Sequence, residues 1–403
     1  MFKYMKIMII AASSLPIPAY RGGATETLVT QLLQSEVVKN EASLCIDVYS
    51  HCSGTDFKDG NISYYFCDIT TREVLYRKMF RVIRLMLLRK ININDNFPIL
   101  LSQNVDLSQY DLIILEGNKD QVIPLRKVYN GKLALHIHTV MTLTKQTPFS
   151  SRIVKNCNYI YANSQFALRK MLEIKDVTKD KFFLWKNCIR LNDFLPTESF
   201  SKFRKWFRNK YNINSEEYVY IYCGRIEPGK GVLELIKAFK LLKTPGKLLI
   251  VGASWFNTNS KTSYVKRCER EANKIKDNII FSGYIPHEEI AKYYYCADVA
   301  VMPSIYEESA GLVALEAQAC GLPVIISNTG GIPEFISPRS KLKVGLEPDF
   351  ITEMSDLMRR LYMDQEFYLY EKRLAMENIK NFDISMYADE FLRIIKSSDT
   401  TEN

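Results

Sequence analysis

Several features that define other classes of protein are missing from this chain of 403 residues. No stretch reaches the roughly 18 consecutive apolar residues that a membrane-spanning helix needs. The nine cysteines form no Cys-x-x-Cys pair, and their odd number and scatter argue against a disulfide framework or a cysteine-based zinc site. Residues 1–12 resemble a weak signal peptide, but their apolar part is short, and a buried first strand explains it better. We therefore expect a soluble, cytoplasmic protein.

The composition is that of a globular protein with more than one domain. Hydrophobic residues make up 47% of the chain and charged residues 25%, which excludes a disordered or fibrous protein. The net charge of +9 is modest for this length and does not indicate a nucleic-acid partner. The length exceeds one ordinary core and fits two α/β domains.

Short β-rich apolar runs alternate with longer helical patterns, which predicts parallel sheets built from βαβ units. The pattern breaks near residue 195, so we expect two doubly wound Rossmann-like domains over residues 1–195 and 196–383. In such sheets ligands bind beyond the carboxyl ends of the strands. The predicted strands span residues 6–12, 44–50, 62–67, 112–116, 133–138, 159–162, 218–223, 247–251, 279–282, 298–302 and 324–327.

The segment 218–239 combines a strand, a glycine turn and a helix. The apolar strand ends at Gly224, Arg225 and Lys230 lie in the turn, and Gly231 opens the helix. Glycine lets the backbone approach a ligand, and the helix start offers N–H groups and a positive dipole. With the two cations this predicts a diphosphate site. The alternative is a structural turn with solvated cations.

A second segment, 281–336, also combines a strand, a glycine turn and a helix, but it carries carboxylates instead of cations. Gly311 follows a strand and loop and opens a helix, Glu308 lies just before that helix, and Glu316 lies within it. Apolar neighbours place Glu316 near a buried face, where a carboxylate needs a partner such as a ribose hydroxyl. The alternative is that Glu316 points to solvent on an ordinary amphipathic helix.

Together, Gly224-Arg225, Lys230-Gly231, Glu308, Glu316 and the run ACGLPVI (residues 319–325) resemble the retaining glycosyltransferases of family four. The resemblance implies the GT-B fold, in which two Rossmann-like domains face each other across a cleft. It also implies that the C-terminal domain binds a nucleotide-sugar donor and the N-terminal domain the acceptor. A last helix, over about residues 384–397, is expected to pack back on the first domain.

The resemblance assigns roles to individual residues. Arg225 and Lys230 would neutralise the donor diphosphate, and Glu316 would contact the ribose. Glu308 would contact the hydroxyls of the transferred sugar. Ala310 stands where the family often has a phenylalanine, which leaves the donor sugar open. The further implied donor-binding residues are Gly224 at the start of the first turn, Tyr284 and Ile285 near the base, and Ser309, Ala310, Gly311 and Leu312 near the phosphates or sugar.

In the first half, two features match the same family. Gly22 and Gly23 lie between the first strand and a helix and would meet the donor phosphates; the alternative is a tight turn without a ligand. His136 and His138 end a strand, and strand alternation puts both on one face. The resemblance places His138 beside the reacting sugar, where its imidazole can hydrogen-bond a hydroxyl. A structural role stays open for His136.

The chain contains no Asp-x-Asp pair, the motif that binds a divalent cation in metal-dependent glycosyltransferases of the other major fold. We therefore expect a metal-independent reaction without a cofactor, with retained anomeric configuration and front-face attack. The expected catalytic residues are His138, Glu308, Arg225 and Lys230. A GT-B sugar-nucleotide epimerase and a non-catalytic partner subunit stay open as alternatives.

Two basic and aromatic segments suggest a membrane surface. Residues 72–90 have the pattern of a basic amphipathic helix, and residues 200–211 add a second cluster. The alternative is that the first packs on its sheet with solvated arginines.

The residue usage is typical of an AT-rich bacterial gene. We expect a UDP-sugar donor, a glycan or lipid-linked acceptor in cell-envelope, capsule or O-antigen polysaccharide synthesis, and peripheral association with the inner face of the membrane. The oligomeric state stays open.

Overall fold

The computed structural model describes residues 4–11, 15–67, 97, 101–139, 148–175, 178–254 and 262–399. The chain divides into two compact units: unit 1 comprises Met1–Lys186 with Tyr387–Asn403, and unit 2 comprises Asn187–Met386. The division falls earlier than residue 195, and most of the last helix groups with unit 1. The basic segment 72–90 lies outside the described residues.

Unit 1 is built on an eight-stranded sheet of order β3-β4-β2-β1-β5-β6-β7-β8. Neighbouring strands are parallel, except that β3 pairs antiparallel with β4 at the edge. The chain starts at the central strand β1, winds outwards to one side, and then resumes at β5 on the other side. The strands are β1 Met5–Ile10, β2 Leu44–Ser50, β3 Phe57–Asp59, β4 Ile62–Phe66, β5 Leu112–Glu116, β6 Lys132–Ile137, β7 Tyr159–Ala162 and β8 Phe182–Leu184.

The central strands of unit 1 are mostly apolar because helices cover both faces of a parallel sheet. Ile113 and Leu135, for example, are fully buried in one continuous core. The described helices of this unit are α1 Ala24–Leu33, α2 Glu36–Lys39, α3 Val122–Arg126, α4 Pro148–Asn156 and α5 Gln165–Leu172, and the last helix, α13 Ile384–Asp399, runs from unit 2 into unit 1.

Unit 2 is built on a six-stranded parallel sheet of order β11-β10-β9-β12-β13-β14. Counted from β9, this is the doubly wound order 3-2-1-4-5-6 of dinucleotide-binding folds. The winding direction reverses between β9 and β12, which are hydrogen-bonded neighbours. The strands are β9 Tyr218–Cys223, β10 Gly246–Val251, β11 Ile279–Gly283, β12 Val299–Met302, β13 Val324–Ser327 and β14 Lys343–Val344.

Helices flank this second sheet and share its core. Val232, Leu235 and Ile236 of one helix are fully buried against the strand residues Tyr220 and Leu248. The helices are α6 Glu198–Lys210, α7 Val232–Leu241, α8 Ser263–Ala272, α9 Ile290–Tyr294, α10 Leu312–Ala319, α11 Phe350–Met363 and α12 Gln365–Asn378.

The predicted fold class, two doubly wound Rossmann-like sheets, is confirmed. Each predicted strand coincides with an observed strand to within two residues at either end. The sequence patterns missed β3, β8 and β14. These strands are two or three residues long, too short for alternation or an apolar run to be recognised.

Candidate active site

The most prominent candidate site in unit 2 lies where the winding of its sheet reverses. The loops that follow β9 and β12 both leave from the carboxyl ends of adjacent strands. In open α/β sheets this is the place where ligands bind. The motifs predicted from residues 218–239 and 281–336 fall on these two loops, so the fold brings them together.

Gly231 fixes how closely the two loops approach. It has a left-handed φ of 70° and stands immediately before α7, without a side-chain cap on the helix start. A Cβ atom at this position would lie 1.8 Å from the carbonyl oxygen of Pro303, at the start of the other loop. Glycine is therefore required both by the backbone conformation and by the contact. In the first turn the Leu233 N–H donates to the Tyr264 hydroxyl at 3.2 Å, so an anion at this helix start would be met by the other N–H groups of the turn.

Lys230 and Glu308 join the two loops through charge. The Lys230 Nζ lies 2.7 Å from Glu308 Oε2, and both side chains are largely buried. The Ser304 hydroxyl donates a hydrogen bond to Glu308 Oε1, and the ammonium lies 5.4 Å from the centre of the Tyr306 ring. Burial lowers the pKa of Lys230, but the charge of Glu308 and its hydrogen bond outweigh burial, so the pKa is raised. The pKa shift therefore favours the charged form of Lys230.

Arg225 is connected to the same network indirectly, through Glu227 and Tyr306. Its guanidinium lies 3.1 Å from Glu227 Oε2 and is 41% exposed. Glu227 Oε1 also accepts a hydrogen bond from the Tyr306 hydroxyl, at 3.2 Å. Tyr306 thus connects the Arg225 pair with the Lys230 pair. One cation is held inside the site and the other stands at its exposed margin, where it can reach a ligand.

The predicted second helix start is also present. Gly311 precedes α10, which begins at Leu312 without a side-chain cap. The loop before it is tied to the neighbouring loop after β13, because the Gly331 N–H donates to the Glu308 carbonyl oxygen at 2.7 Å. Ser309 is buried and Ala310 is half-buried in this loop. The segment is therefore a fixed part of the site.

Glu316 lies inside α10 with only 7% of its surface exposed. Its carboxylate accepts a hydrogen bond from the Tyr294 hydroxyl at 3.0 Å, and the His287 Nε2 lies 3.0 Å from the other oxygen. The alternative that Glu316 points to solvent is wrong. The expected need for a polar partner is met here by the protein's own side chains, and the ribose contact stays a prediction.

Tyr284 and Ile285, predicted near the base, lie at another part of the sheet. They follow β11, the edge strand, which β10 separates from β9. Tyr284 is exposed and Ile285 is half-buried. They lie at the carboxyl ends of the same sheet, two strands away from the loop that follows β9.

In unit 1 the winding reverses between β1 and β5, and the predicted residues follow β1 and lie at the end of β6, the neighbour of β5. Gly22 and Gly23 follow β1, both with positive φ, and Gly23 stands immediately before α1. His136 is the register partner of Glu116 across β6 and β5. His138 follows two residues later, on the same face as predicted.

Glu116 joins both histidines. Its Oε2 lies 2.9 Å from His136 Nδ1 and 2.7 Å from His138 Nε2. Burial raises the pKa of Glu116, but the two imidazoles outweigh burial and lower it to about 2. Burial lowers the pKa of His136 to about 4. The side chains of Glu116 and His136 are 1% and 0% exposed, so the cluster is a buried carboxylate beside a neutral imidazole. These three residues also form a group that could hold a metal ion, in the described part of the chain.

Several residues of these clusters were not predicted from the sequence. Glu116 ends a predicted strand next to the strand of the histidines, a position that could have singled it out. The others carried no motif and are recognisable only through their contacts: Ser304, Tyr306, His287 and Tyr294.

Comparison with known proteins gives one assignment. Residues 203–380 match the family described as glycosyl transferases group 1. A Bacillus subtilis protein named as a glycosyltransferase, YtcC, is 25% identical over 98% of this chain and 92% of its own length. The lipopolysaccharide 1,2-N-acetylglucosaminetransferase of Salmonella typhimurium is 26% identical over 82% of each chain.

A solved structure has a similar fold. The crystal structure of Anabaena Alr3699/HepE in complex with UDP-glucose is similar with a TM-score of 0.71 at 16% identity, covering 98% of this chain and 100% of that chain. The two sheets and this likeness define a protein of the GT-B class. The predicted family resemblance is confirmed for residues 203–380, which match the family model.

Proposed function

We propose that this glycosyltransferase transfers a sugar from a UDP-linked donor to a glycan or lipid-linked acceptor of a bacterial envelope polysaccharide, with retention of configuration. The observation that carries the proposal is the cluster of Arg225, Lys230 and Glu308 beside two helix starts, each preceded by a glycine. The UDP-glucose complex of the structural relative and the lipopolysaccharide activity named for the Salmonella relative support the donor and acceptor classes.

The cations supply what the leaving group needs. When the bond between the sugar and the diphosphate breaks, negative charge grows on the phosphate oxygen, and preorganised donors stabilise it. Lys230 and Arg225 can each contribute a charge-assisted hydrogen bond worth about 1.5–3 kcal/mol. Since the sequence has no Asp-x-Asp pair, we propose that these side chains and the helix starts act without a metal ion.

The contacts of Glu308 favour a single-step transfer. One carboxylate oxygen accepts from Lys230 and the other from Ser304, which weakens the carboxylate as a nucleophile. We propose that the acceptor oxygen bonds to the anomeric carbon on the face from which the diphosphate leaves. The acceptor's proton passes to the departing phosphate oxygen. Glu308 then serves to bind hydroxyls of the transferred sugar.

The proposal is tested by screening UDP-, GDP- and ADP-linked sugars for thermal stabilisation. A donor at 100 times its Kd should stabilise the protein by about 2.7 kcal/mol. Product analysis with and without an acceptor then separates transfer from epimerisation, and the anomeric configuration is determined by NMR. Binding of none of the sugars would sink the proposal. Loss of activity with EDTA would contradict the metal-independent step.

We also propose that α6 attaches the enzyme to an anionic membrane. No helix in the described ranges has both the length and the apolar character for crossing a bilayer. The α6 side chain of Phe207 is buried, whereas Trp206 is 50% exposed, with Lys210 4.7 Å above its ring. Lys202 and Lys205 are exposed on the same helix, and clustered cations beside an aromatic ring suit an anionic lipid surface.

Sedimentation with phosphatidylglycerol vesicles tests this proposal. The protein should bind at low salt and dissociate at high salt, and Lys205→Glu together with Trp206→Ala should weaken binding. Lys240→Ala, which removes an exposed cation paired with Glu271 on another helix, is the matched control. Equal binding of neutral and anionic vesicles would contradict the charge argument.

A further inference from the structure

Glu116 is a buried residue of unit 1 to which the proposed function gives no role. It is a carboxylate with 1% of its side chain exposed. A buried charge is costly unless hydrogen bonds compensate it. The contacts that the structure gives this carboxylate are with the two imidazoles of His136 and His138.

The chemistry of an ionised carboxylate determines where the imidazole hydrogens are. An ionised carboxylate accepts hydrogen bonds and cannot donate them. His136 Nδ1 and His138 Nε2 must therefore both carry hydrogens that point to Glu116. In neutral His138 the lone pair then lies on Nδ1, the nitrogen on the opposite side of the ring from the carboxylate.

The surroundings hold this arrangement rigidly. The His136 ring stacks on Trp185, with centroids 4.5 Å apart and planes at 19°. The His138 ring lies 4.1 Å from the His136 ring. The backbone is fixed too, because the Asn163 side-chain amide donates to the His138 carbonyl oxygen at 3.2 Å. The packed His136 ring therefore restricts the movement of the Glu116 and His138 side chains.

We propose that Glu116 is a positioning residue that fixes His138 with hydrogen on Nε2, so that Nδ1 accepts a hydrogen bond from a sugar hydroxyl. The inference rests on the proposed function and on the expectation from the family resemblance that His138 hydrogen-bonds a sugar hydroxyl. It extends that function by naming the group that sets the tautomer and orientation of the histidine. The logic is that of a carboxylate orienting an imidazole.

A metal site built from the same three residues fits the structure less well. A histidine that binds a metal through one nitrogen usually donates its other N–H to a second-shell acceptor. The Nε2 of His136 is buried and has no hydrogen-bond partner. An unprotonated Nε2 agrees instead with a neutral ring whose single hydrogen is donated to Glu116.

The direct test is NMR of protein labelled with ¹⁵N-histidine. The chain has only four histidines, and the spectrum of His138→Gln identifies the His138 signals by difference. We expect His138 to show the tautomer with hydrogen on Nε2 and an unprotonated Nδ1. The opposite tautomer in the wild-type protein would overturn the proposal, whether or not a donor has been found.

Two variants separate positioning from structure. Glu116→Leu removes the acceptor, so the His138 tautomer should no longer be fixed, and kcat should fall at least about tenfold with little change in the donor KM. Glu116→Gln keeps one acceptor oxygen and should recover part of kcat and the tautomer. Glu371→Gln, a buried carboxylate that accepts from Ser340 and Lys341, is the matched control and should leave kcat unchanged.

The outcomes distinguish this inference from the proposed function. If the wild-type protein transfers no sugar, the proposed function fails while the tautomer can still be measured. If it transfers sugar and Glu116→Leu keeps wild-type kcat in a folded protein, the positioning role is wrong. Stoichiometric binding of Zn²⁺ that disappears in Glu116→Leu would replace it with a metal site.

Discussion

The carboxylates of the two candidate clusters, Glu116 in unit 1 and Glu308 in unit 2, are held by different means. Glu116 and its histidines lie at the ends of two hydrogen-bonded strands and are backed by stacked rings. Glu308 lies in a loop, where it meets Lys230 from another loop. The cluster of unit 2 lies where the winding of its sheet reverses and joins two loops, whereas the cluster of unit 1 lies at the ends of β5 and β6 and is part of a core.

This difference in position indicates which role each cluster suits. Side chains on strand ends with a packed backing keep one geometry, which suits the positioning of a reacting group. Loop residues paired by charge can also form contacts with a ligand, which suits binding. On this view Lys230 keeps one N–H on Glu308 and offers its other N–H groups to a ligand, and Glu116 keeps its partners throughout.

Removing the aromatic backing should have the largest effect. Trp185 stacks on Tyr387 and on Phe391 of α13, with centroids 4.5 and 5.2 Å apart. Phe391 is 1% exposed, so Phe391→Ala should destabilise unit 1 by about 3–5 kcal/mol. The measurement is the urea midpoint by circular dichroism. Met386→Ala, on an exposed side of the same helix, should change little, and equal effects of both variants would contradict the backing role.

The strand positions and the shared face of the two histidines could be predicted, since apolar runs and alternation are local properties. The link between His136 and Glu116 could not. It depends on the pairing of β5 with β6, and register is set by packing between segments distant in sequence. The same applies to Glu316: its need for a partner could be inferred from its apolar neighbours, but Tyr294 and His287 come from separate elements.

For unit 2, the corresponding change is Gly231→Ala. An alanine there must adopt a left-handed conformation and would press its Cβ against the Pro303 carbonyl oxygen, so we expect a loss of about 2–4 kcal/mol in stability. Gly283→Ala is the matched control: its φ is 75°, but nothing lies within 4 Å of the added Cβ. It should cost about 1 kcal/mol. Equal melting temperatures for the two variants would show that the loops separate easily.

Charge removal tests the binding role of the loop cluster. Lys230→Ala should weaken donor binding by about 1.5–3 kcal/mol, measured by calorimetry, because a charge-assisted contact to the diphosphate is lost. Arg225→Ala should cost less, since Arg225 is more exposed and solvent screens its charge. Lys240→Ala again serves as the control. A larger loss for Arg225→Ala would reverse the proposed order of the two cations.

The smallest expected effect is a pH dependence in unit 2. Burial lowers the pKa of His287, but its hydrogen bond to Glu316 and the charges of Glu316, Asp193 and Glu288 outweigh burial and raise it. A group whose pKa is raised by folding contributes stability in full below its unfolded pKa, about 6.5, and loses that contribution as the pH rises through the folded value. The stability difference between the wild type and His287→Gln should therefore be larger at about pH 5.5 than at about pH 9. His287 is partly exposed, so the difference should be small.

Tyr294→Phe removes the other hydrogen bond to Glu316 without removing a group that titrates in this range, and its effect should be the same at both pH values. If His287→Gln showed the same flat profile, the pair with Glu316 would be a neutral hydrogen bond, and unit 2 would share the uncharged imidazole found at His136 in unit 1.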